Sequence, residues 1–251
     1  MLLTIDIGNT NIKTALSDNG QLFSFRVHSN PGKIIDYIND TSFDSAAICS
    51  VSPLKYDSLK EKFESMSIPI FFADINQKLN LKIDYDTPQT IGMDRVCSAV
   101  GALKIAEEKS LIDENQYLMT IDFGTATTIN VVSPRKEFIG GLIAPGVSTM
   151  FRSLNEQTAQ LPLSNENFYK ELIGKSTEAS IVSGVINSTI GMINETVNHL
   201  MFHSNSQPII FITGGNARII SPYLKNEVLF EEALVLKGLK FIYNLNTGDN
   251  S

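Results

Sequence analysis

One octapeptide, Thr4-Ile-Asp-Ile-Gly-Asn-Thr-Asn11, recurs in outline as Thr120-Ile-Asp-Phe-Gly-Thr-Ala-Thr127, and the two agree at Thr, Ile, Asp and Gly. In each copy an apolar run predicts a strand that ends at an aspartate, and a glycine turn leads into a second strand. A third strand is predicted after each pair. Because the order of elements matches as well as the residues, duplication is favoured over coincidence. We therefore divide the chain into residues 1–117 and 118–251.

Helix and strand patterns alternate outside the repeated strands. In the first half they predict helices at 30–38 and 56–66 and strands at 44–51 and 68–72. In the second half they predict a helix at 178–201, a strand at 208–212 and a final helix at 232–243. Gly184 and Gly191 are expected to be close-packing points of the long helix. Such alternation is typical of an α/β fold with helices packed on sheets.

The composition describes a folded protein of acidic character. Among 251 residues, 43% are hydrophobic and 19% are charged, proportions that exclude a disordered chain, a coiled coil and a collagen. The formal net charge of −7 argues against a nucleic-acid partner, because such a surface needs a stripe of basic residues. Anionic small molecules are compatible with this charge, since backbone N–H groups bind phosphate without net positive charge.

The first residues and the cysteines both indicate a cytoplasmic protein. Asp6 and Asn9 interrupt the first apolar run and no basic segment precedes it, a pattern that differs from a signal peptide. No apolar stretch reaches the length of a membrane span, so no membrane partner is expected. Cys49 and Cys97 lie in apolar surroundings and are expected to be buried and reduced. The cysteines and histidines show no metal-ligand spacing.

Three glycine turns follow predicted strands, and their side chains suit a bound nucleotide. They are Asp6-Ile-Gly-Asn-Thr-Asn11, Asp122-Phe-Gly-Thr-Ala-Thr127 and Thr213-Gly-Gly-Asn216. In the first two, glycine leaves backbone N–H groups accessible to phosphate, and hydroxyl and amide side chains add donors. A carboxylate beside a phosphate implies a cation between them, so Asp6 and Asp122 mark expected cation positions. Lys13 is placed to neutralise phosphate charge.

Together these turns resemble the sugar kinase/Hsp70/actin superfamily, in which two duplicated RNase H-like domains hold ATP in the cleft between them. The resemblance narrows when further stretches are added. The successive motifs of type III pantothenate kinase are similar to Asp6–Lys13, Gly92-Met-Asp-Arg95, Asp122–Thr128, Gly140-Gly-Leu-Ile-Ala-Pro-Gly146 and Gly174-Lys-Ser-Thr177. Five motifs in order over nearly the whole chain are specific, although each alone is not.

The resemblance implies roles for particular residues. ATP binding is expected at Asp6, Ile7, Gly8, Asn9, Thr10, Asn11, Ile12, Lys13 and Thr125. Pantothenate binding is expected at Tyr85, Gly92, Met93, Asp94, Arg95 and Thr177. Asp94 is the expected general base, and Asp122 the expected ligand of a monovalent cation, K⁺ or NH₄⁺. The implied reaction uses ATP with Mg²⁺ and phosphorylates the primary hydroxyl of pantothenate to 4'-phosphopantothenate, the first step of coenzyme A biosynthesis.

The chemistry of these residues agrees with the implied roles. Phosphoryl transfer depends on positioning and charge neutralisation more than on covalent chemistry, and a carboxylate such as Asp94 can accept the proton of the attacking alcohol. Arg95 offers a fork of donors for a carboxylate or a phosphoryl oxygen. Without the other motifs, these two residues would be interpreted as an ion pair at the start of a helix. The sequence departs from the family at Asn130, where an aspartate is common, and this loss of charge bears on the dependence on a cation.

The sequence is also compatible with other functions. A kinase of the same superfamily for another small alcohol would share the phosphate turns, because specificity lies in the shape of the pocket. A nucleotide-binding regulatory or accessory factor of the same family would need no catalytic base, whereas Asp94 and the phosphate loop are both intact. An actin-like filament former is expected to be longer and to have extra subdomains. The resemblance also implies a homodimer with its sites near the subunit interface.

Overall fold

The computed structural model describes residues 1–166, 169 and 171–248, and their packing divides the chain into two units. The first unit comprises Met1–Leu111, Arg135–Ile139 and Ala233–Ser251, and the second comprises Ile112–Pro134 and Gly140–Glu232. The predicted boundary after residue 117 is the place where the repeat restarts along the sequence. That the duplicated domains are divided there stays a prediction. The packing units differ from this boundary at three places, because residues 112–117 pack with the second unit whereas Arg135–Ile139 and the last helix pack with the first.

The first unit is built on a sheet with the strand order β3-β2-β1-β4-β5. Its strands are β1 (Leu2–Ile7), β2 (Ile12–Asp18), β3 (Gln21–His28), β4 (Ser45–Ser50) and β5 (Ile70–Phe72). The first three are antiparallel neighbours, whereas β4 is parallel to β1 and β5 to β4. The β2–β3 hairpin has positive φ at Asn19 and Gly20, as a two-residue turn of this kind requires. A short strand, β6 (Lys82–Ile83), pairs with Glu137 and Phe138.

The strands of the second unit repeat this arrangement. They are β7 (Leu118–Phe123), β8 (Ala126–Val132), β9 (Glu137–Pro145, which belongs to this unit from Gly140 onwards), β10 (Ile209–Thr213) and β11 (Leu229–Phe230). Their order is β9-β8-β7-β10-β11, with β7 antiparallel to β8 and parallel to β10. The register matches as well, since Asp6 lies opposite Cys49 on the parallel neighbour and Asp122 lies opposite Thr213. This correspondence confirms the predicted duplicated α/β fold.

Helices cover both sheets. In the described residues they are α1 (Pro31–Asn39), α2 (Pro53–Glu64), α3 (Met93–Glu108), α4 (Val147–Glu156), α5 (Thr177–Ser204), α6 (Ala217–Ile220) and α7 (Leu234–Thr247). Apolar residues of α1 and α2, among them Ile34 and Leu59, pack on β1, β2 and β4 in the first unit. In the second unit α4, α5 and α6 contribute Phe151, Val182 and Ile220 to a core with β7, β8 and β10. None of the helices described is both long enough and apolar enough to cross a membrane.

Two glycines let α3 and α7 approach closely within the first unit. A Cβ atom at Gly101 would lie 2.6 Å from the Leu234 carbonyl oxygen and 2.9 Å from the Gly238 nitrogen. A Cβ atom at Gly238 would lie 2.6 Å from the Cys97 carbonyl carbon and closer still to its oxygen. The backbones of α3 and α7 are therefore in direct contact at these two glycines, which have no side chain to keep the helices apart. This contact fixes the position of α3.

The glycines of α5 behave differently from this pair. A Cβ atom at Gly184 or Gly191 would meet nothing within 4 Å in the described structure, so the prediction that they are close-packing points is wrong within this chain. The buried face of α5 is formed instead by larger side chains such as Val182, Ile186 and Ile193. The glycines lie outside that face.

Candidate active site

The polar loop of the first unit joins β1 to β2 and is closed by its own backbone. The Gly8 amide donates to the Asn11 carbonyl at 3.0 Å, and a Cβ atom at residue 8 would lie 3.0 Å from the same oxygen. The tip of the loop is exposed, whereas Ile7 and Ile12 are fully buried in the core. Of the residues expected to bind ATP, these two isoleucines can therefore offer only backbone groups.

Two groups from the neighbouring segment hold this loop in place. The Val51 amide donates to the Ile7 carbonyl at 3.1 Å. The Lys55 ammonium, in the first turn of α2, donates to the Gly8 carbonyl at 3.1 Å and to the Thr10 carbonyl at 2.7 Å. Lys55 is not predictable from the sequence, because nothing in the local pattern around it indicates a contact with the loop.

Asp6 and Asp94 both lie near one buried cysteine. Asp6 is only 5% exposed, and the Cys49 thiol donates to its Oδ1 at 3.7 Å. A hydrogen bond with Cys97, then burial, then the charges nearby, including Asp6 and Asp94, raise the pKa of Cys49 well above its usual range. Both cysteines are buried and free, as predicted. The structure thus brings the aspartate of the polar loop and the expected base to the same part of the first unit.

The start of α3 fixes the carboxylate of Asp94. The Arg95 amide donates to Asp94 Oδ1 at 2.8 Å, and the side chain of Asp94 is half-buried. Gly92 precedes the helix, and a Cβ atom there would lie 2.5 Å from Asp94 Oδ1 and 3.2 Å from Val51 Cγ1. The positive end of a helix also favours a carboxylate in its first turn. A side chain at position 92 would displace the carboxylate of Asp94, so glycine is required there to keep the expected base in its position.

Tyr85 and Arg95 both contact Phe138. The ring centroids of Tyr85 and Phe138 are 6.2 Å apart with an edge-to-face geometry. The guanidinium carbon of Arg95 is 5.6 Å from the centroid of the Phe138 ring, where its charge is attracted to the aromatic face. Phe138 is fully buried, and its carbonyl accepts the Asp84 amide at 3.0 Å. Phe138 therefore links two residues that are expected to bind pantothenate, a role that the sequence pattern does not indicate.

In the second unit, the Asp122 carboxylate lies between two glycine turns. A Cβ atom at Gly124 would lie 3.4 Å from Asp122 Oδ1. One at Gly214, where φ is +94°, would overlap this oxygen and lie 2.7 Å from the Phe123 nitrogen. The Asn216 amide donates to the Phe123 carbonyl at 3.0 Å. Two of the three turns singled out in the sequence therefore meet around Asp122.

The N-terminus of α4 packs on the turn that carries Thr125. The Gly146 amide and the Thr149 hydroxyl both donate to the Thr125 carbonyl, at 2.9 and 2.8 Å. A Cβ atom at Gly146 would lie 2.7 Å from the same carbonyl oxygen. A helix N-terminus presents N–H groups and partial positive charge, which attract anions. The motif that ends at Gly146 is visible in the sequence, whereas the helix that follows it is not among the predicted elements.

Asn130 lies on the face of the second sheet that also carries Asp122. Its side-chain amide donates to the Thr120 hydroxyl at 3.0 Å, and both residues are fully buried. Thr120 is opposite Asn130 and Asp122 is opposite Thr128, so all four side chains share one face because side chains alternate along a strand. An aspartate at position 130 would place a second carboxylate on this face. The asparagine avoids that buried charge.

Thr177 begins α5 and lines a groove of about 890 Å³ in the second unit. The groove is walled by α4, α5 and the segment 174–176. The Ser176 hydroxyl caps α5 by accepting the Ala179 amide at 3.2 Å. Among the residues expected to bind pantothenate, Thr177 belongs to the second unit, whereas Tyr85, Gly92, Met93, Asp94 and Arg95 belong to the first.

The donor groups fit cations that arrive with a nucleotide. Within the described ranges, no group of three or more His, Cys, Asp or Glu side chains could hold a metal ion alone. Mg²⁺ is commonly bound by one or two carboxylates together with substrate phosphates, and Asp6 and Asp122 each offer such a carboxylate at a glycine turn.

Solved structures share the fold of this chain. A Campylobacter jejuni protein described as a conserved Baf family transcriptional activator superposes with a TM-score of 0.66 at 18% identity, covering 98% of this chain and 100% of its own. The activator of the 2-hydroxyisocaproyl-CoA dehydratase from Clostridium difficile, with bound ADPNP, gives a TM-score of 0.52 at 10% identity and covers 98% and 96%. At these identities the likeness concerns the fold alone.

Sequence relatives are similar over almost the whole chain. A type III pantothenate kinase of Christiangramia forsetii is 32% identical over 98% of this chain and 99% of its own length. One from Persephonella marina is 30% identical over 97% and 98%, respectively. The family model of type III pantothenate kinase matches residues 2–199. Together with the duplicated α/β fold, these matches show that the chain belongs to the type III pantothenate kinase family.

Proposed function

We propose that this protein transfers the γ-phosphoryl group of ATP to the primary hydroxyl of pantothenate, which gives 4'-phosphopantothenate and ADP in the first step of coenzyme A biosynthesis. Membership of the family supports the substrates and the reaction class. The observation that carries the proposal is the position of Asp94. Its half-buried carboxylate is fixed at the start of α3 by Gly92 and by the Arg95 amide, and its charge, like that of Asp6, helps to raise the pKa of Cys49.

Asp94 is proposed to accept the hydroxyl proton as the pantothenate oxygen bonds to phosphorus and the bond to the ADP oxygen breaks. Such a base adds to the rate because a primary alcohol is a poor nucleophile. Arg95 is proposed to bind a carboxylate or phosphoryl oxygen of the substrates, since its guanidinium is oriented on the Phe138 ring. Tyr85 rests on the same ring, which supports its assignment to the pantothenate site.

ATP contacts are proposed for the loop Asp6–Lys13 and for Thr125. The closed backbone turn at Gly8 supports the first assignment, and the N-terminus of α4 beside Thr125 supports the second. Asp6 and Asp122 are the proposed carboxylate ligands for the cations of the site. A bound Mg²⁺ supplies charge neutralisation of the phosphates. A cytoplasmic location is proposed as well, in keeping with the two free cysteines.

We expect purified protein to form ADP from ATP only when pantothenate and Mg²⁺ are present, and to do so faster with K⁺ than with Na⁺. K⁺ is expected to raise the rate because the negative charges of the Asp122 carboxylate and of the ATP phosphates repel each other, and Mg²⁺ alone does not compensate them. A coupled assay of ADP release with matched KCl and NaCl measures both. Asp122→Asn, which removes the charge, is expected to abolish the difference between the salts. Equal rates in the two salts would contradict the proposed monovalent-cation site and would leave the proposed kinase activity unaffected.

The same assay separates the remaining alternatives. Turnover with another small alcohol in place of pantothenate would point to a different kinase of the superfamily. ATP binding in calorimetry without turnover of any alcohol would instead favour a regulatory or accessory role, and it would contradict the proposed reaction.

We propose that two copies of the chain form a homodimer through the second unit. Large apolar side chains are exposed there, with Ile143, Leu163, Leu172 and Ile173 each at least 59% exposed. Leu172 and Ile173 directly precede Gly174, which lines the groove beside Thr177. A second copy of the chain is proposed to cover these side chains, because exposed apolar patches are typical of interfaces.

Sedimentation at micromolar concentration is expected to give twice the 27.7 kDa mass of the chain. The variant Ile173→Asp is expected to give a monomer. A fully active monomer would overturn this proposal.

A further inference from the structure

Lys55 is attached to the polar loop by two hydrogen bonds from a separate element of the fold. Its ammonium donates to the Gly8 and Thr10 carbonyls at 3.1 and 2.7 Å, across more than forty residues of intervening sequence. The loop and Lys55 meet because β1 and β4 are parallel neighbours, so that the segments after them emerge at the same edge of the sheet. The Val51 amide, which donates to Ile7, fixes this junction.

The two hydrogen bonds determine which way the loop presents its N–H groups. In a planar trans peptide, the carbonyl and the N–H of the following residue point in opposite directions. The carbonyls of Gly8 and Thr10 point towards Lys55, so the N–H groups of Asn9 and Asn11 point away from it. N–H groups that are oriented in this way are the donors with which a backbone loop binds phosphate.

The position of Lys55 on its helix is unfavourable for the helix itself. It lies in the first turn of α2, which contains no acidic residue, and the positive end of a helix disfavours a cation there. Helix stability therefore gives no reason for a lysine at this position. Buried residues farther along α2, Leu59 and Phe63, anchor the helix in the core, so the lysine stem starts from a fixed backbone.

We propose that Lys55 is a positioning residue for ATP binding, which holds the Gly8 and Thr10 carbonyls so that the opposite side of the loop faces the phosphates. The proposal rests on the assignment of this loop to ATP. It adds a residue outside the motifs by which the sequence resembles its family. Lys55 acts through the loop backbone and not by direct contact with the reacting atoms.

Lys55→Met tests the proposal, because it keeps the aliphatic stem and removes the donors. In the ligand-free protein we expect the Gly8 amide, which donates to the Asn11 carbonyl at 3.0 Å, to exchange about 10-fold faster, because this turn opens more often once the hydrogen bonds from the charged group are lost. The Kd for ATP, measured by calorimetry without pantothenate, should rise about 10-fold for the same reason. KM for pantothenate should stay unchanged. Lys55→Arg, which keeps two donors, should restore most of the ATP affinity.

Lys60→Met is the matched control, because Lys60 lies on the same helix and pairs only at the surface with Glu64 at 3.7 Å. It should leave both measurements at wild-type values. If Lys55→Met does not fold, Lys55→Gln replaces it with the same expected direction. Wild-type exchange in the loop, or wild-type ATP affinity despite faster exchange, would overturn the proposal. Absence of pantothenate turnover in the wild-type protein would instead defeat the proposed function, while the exchange and ATP measurements would still decide the role of Lys55.

Discussion

Asp94→Asn should lower kcat for pantothenate phosphorylation by about 10²- to 10⁴-fold, the range typical for loss of a general base. Asparagine has nearly the same shape, and its side-chain oxygen can still accept the Arg95 amide that now donates to Asp94 at 2.8 Å. The start of α3 should therefore keep its structure. What is lost is the carboxylate that takes up the hydroxyl proton. Steady-state kinetics and calorimetric titration with ATP measure the two effects separately.

Asp6→Asn is the natural comparison, since both aspartates lie near Cys49. This variant should weaken binding of ATP with Mg²⁺, because Asp6 belongs to the phosphate loop, and Asp94→Asn should leave the ATP affinity nearly intact. If Asp94→Asn retained the wild-type kcat, Asp94 would be a structural residue of the helix start and the assignment of the base would be wrong.

Gly238→Ala should lower the free energy of unfolding by about 3 kcal/mol or more, at the upper end of the cost of overpacking. The new Cβ atom would overlap the Cys97 carbonyl, 2.6 Å from its carbon, and backbone atoms cannot rotate away as a side chain can. The two helices must move apart, and α3 carries Asp94 and Arg95 at its start. Small displacements of a catalytic group reduce turnover strongly. Urea unfolding followed by circular dichroism, together with kcat, measures both consequences.

Gly191→Ala provides the control for helix propensity. It is also a glycine in the interior of a helix, but a Cβ atom there would meet nothing within 4 Å in the described structure. Alanine should therefore stabilise the protein by about 0.5–1 kcal/mol. If Gly238→Ala raised stability in the same way, the close contact between α3 and α7 would not exist in solution.

Local patterns predict most of the strands and the duplicated order, because strand–turn–strand repeats are encoded in short segments. The aspartate and glycine at equal positions in the two octapeptides are sufficient to indicate the duplication. The pattern does not predict α3, whose residues from Arg95 to Leu103 are all buried, so that no polar face marks a helical period. It also does not show that α7 packs with α3 in the first unit, since this depends on residues far apart in sequence.

The site was predictable only to the extent that its residues lie in motifs. The glycine turns around Asp122 follow from short runs, and the structure places them together. Lys55 and Phe138 were not predictable in this way, because each acts through a residue that is distant along the chain, the loop carbonyls in one case and Arg95 in the other. Contacts of this kind arise from the parallel pairing of strands, which a local pattern does not specify.

The packing of α7 on α3 has a consequence for the order in which the nascent protein acquires its structure. The ribosome produces α3 first, then the whole second unit, and only then α7, at about 5–20 residues per second. During that interval α7 is not yet available to pack on the face of α3 that contains Gly101. Exposed apolar surface of this kind is what chaperones recognise during synthesis. The synthesis of the unit that carries Asp94 thus starts before that of the second unit and is completed after it.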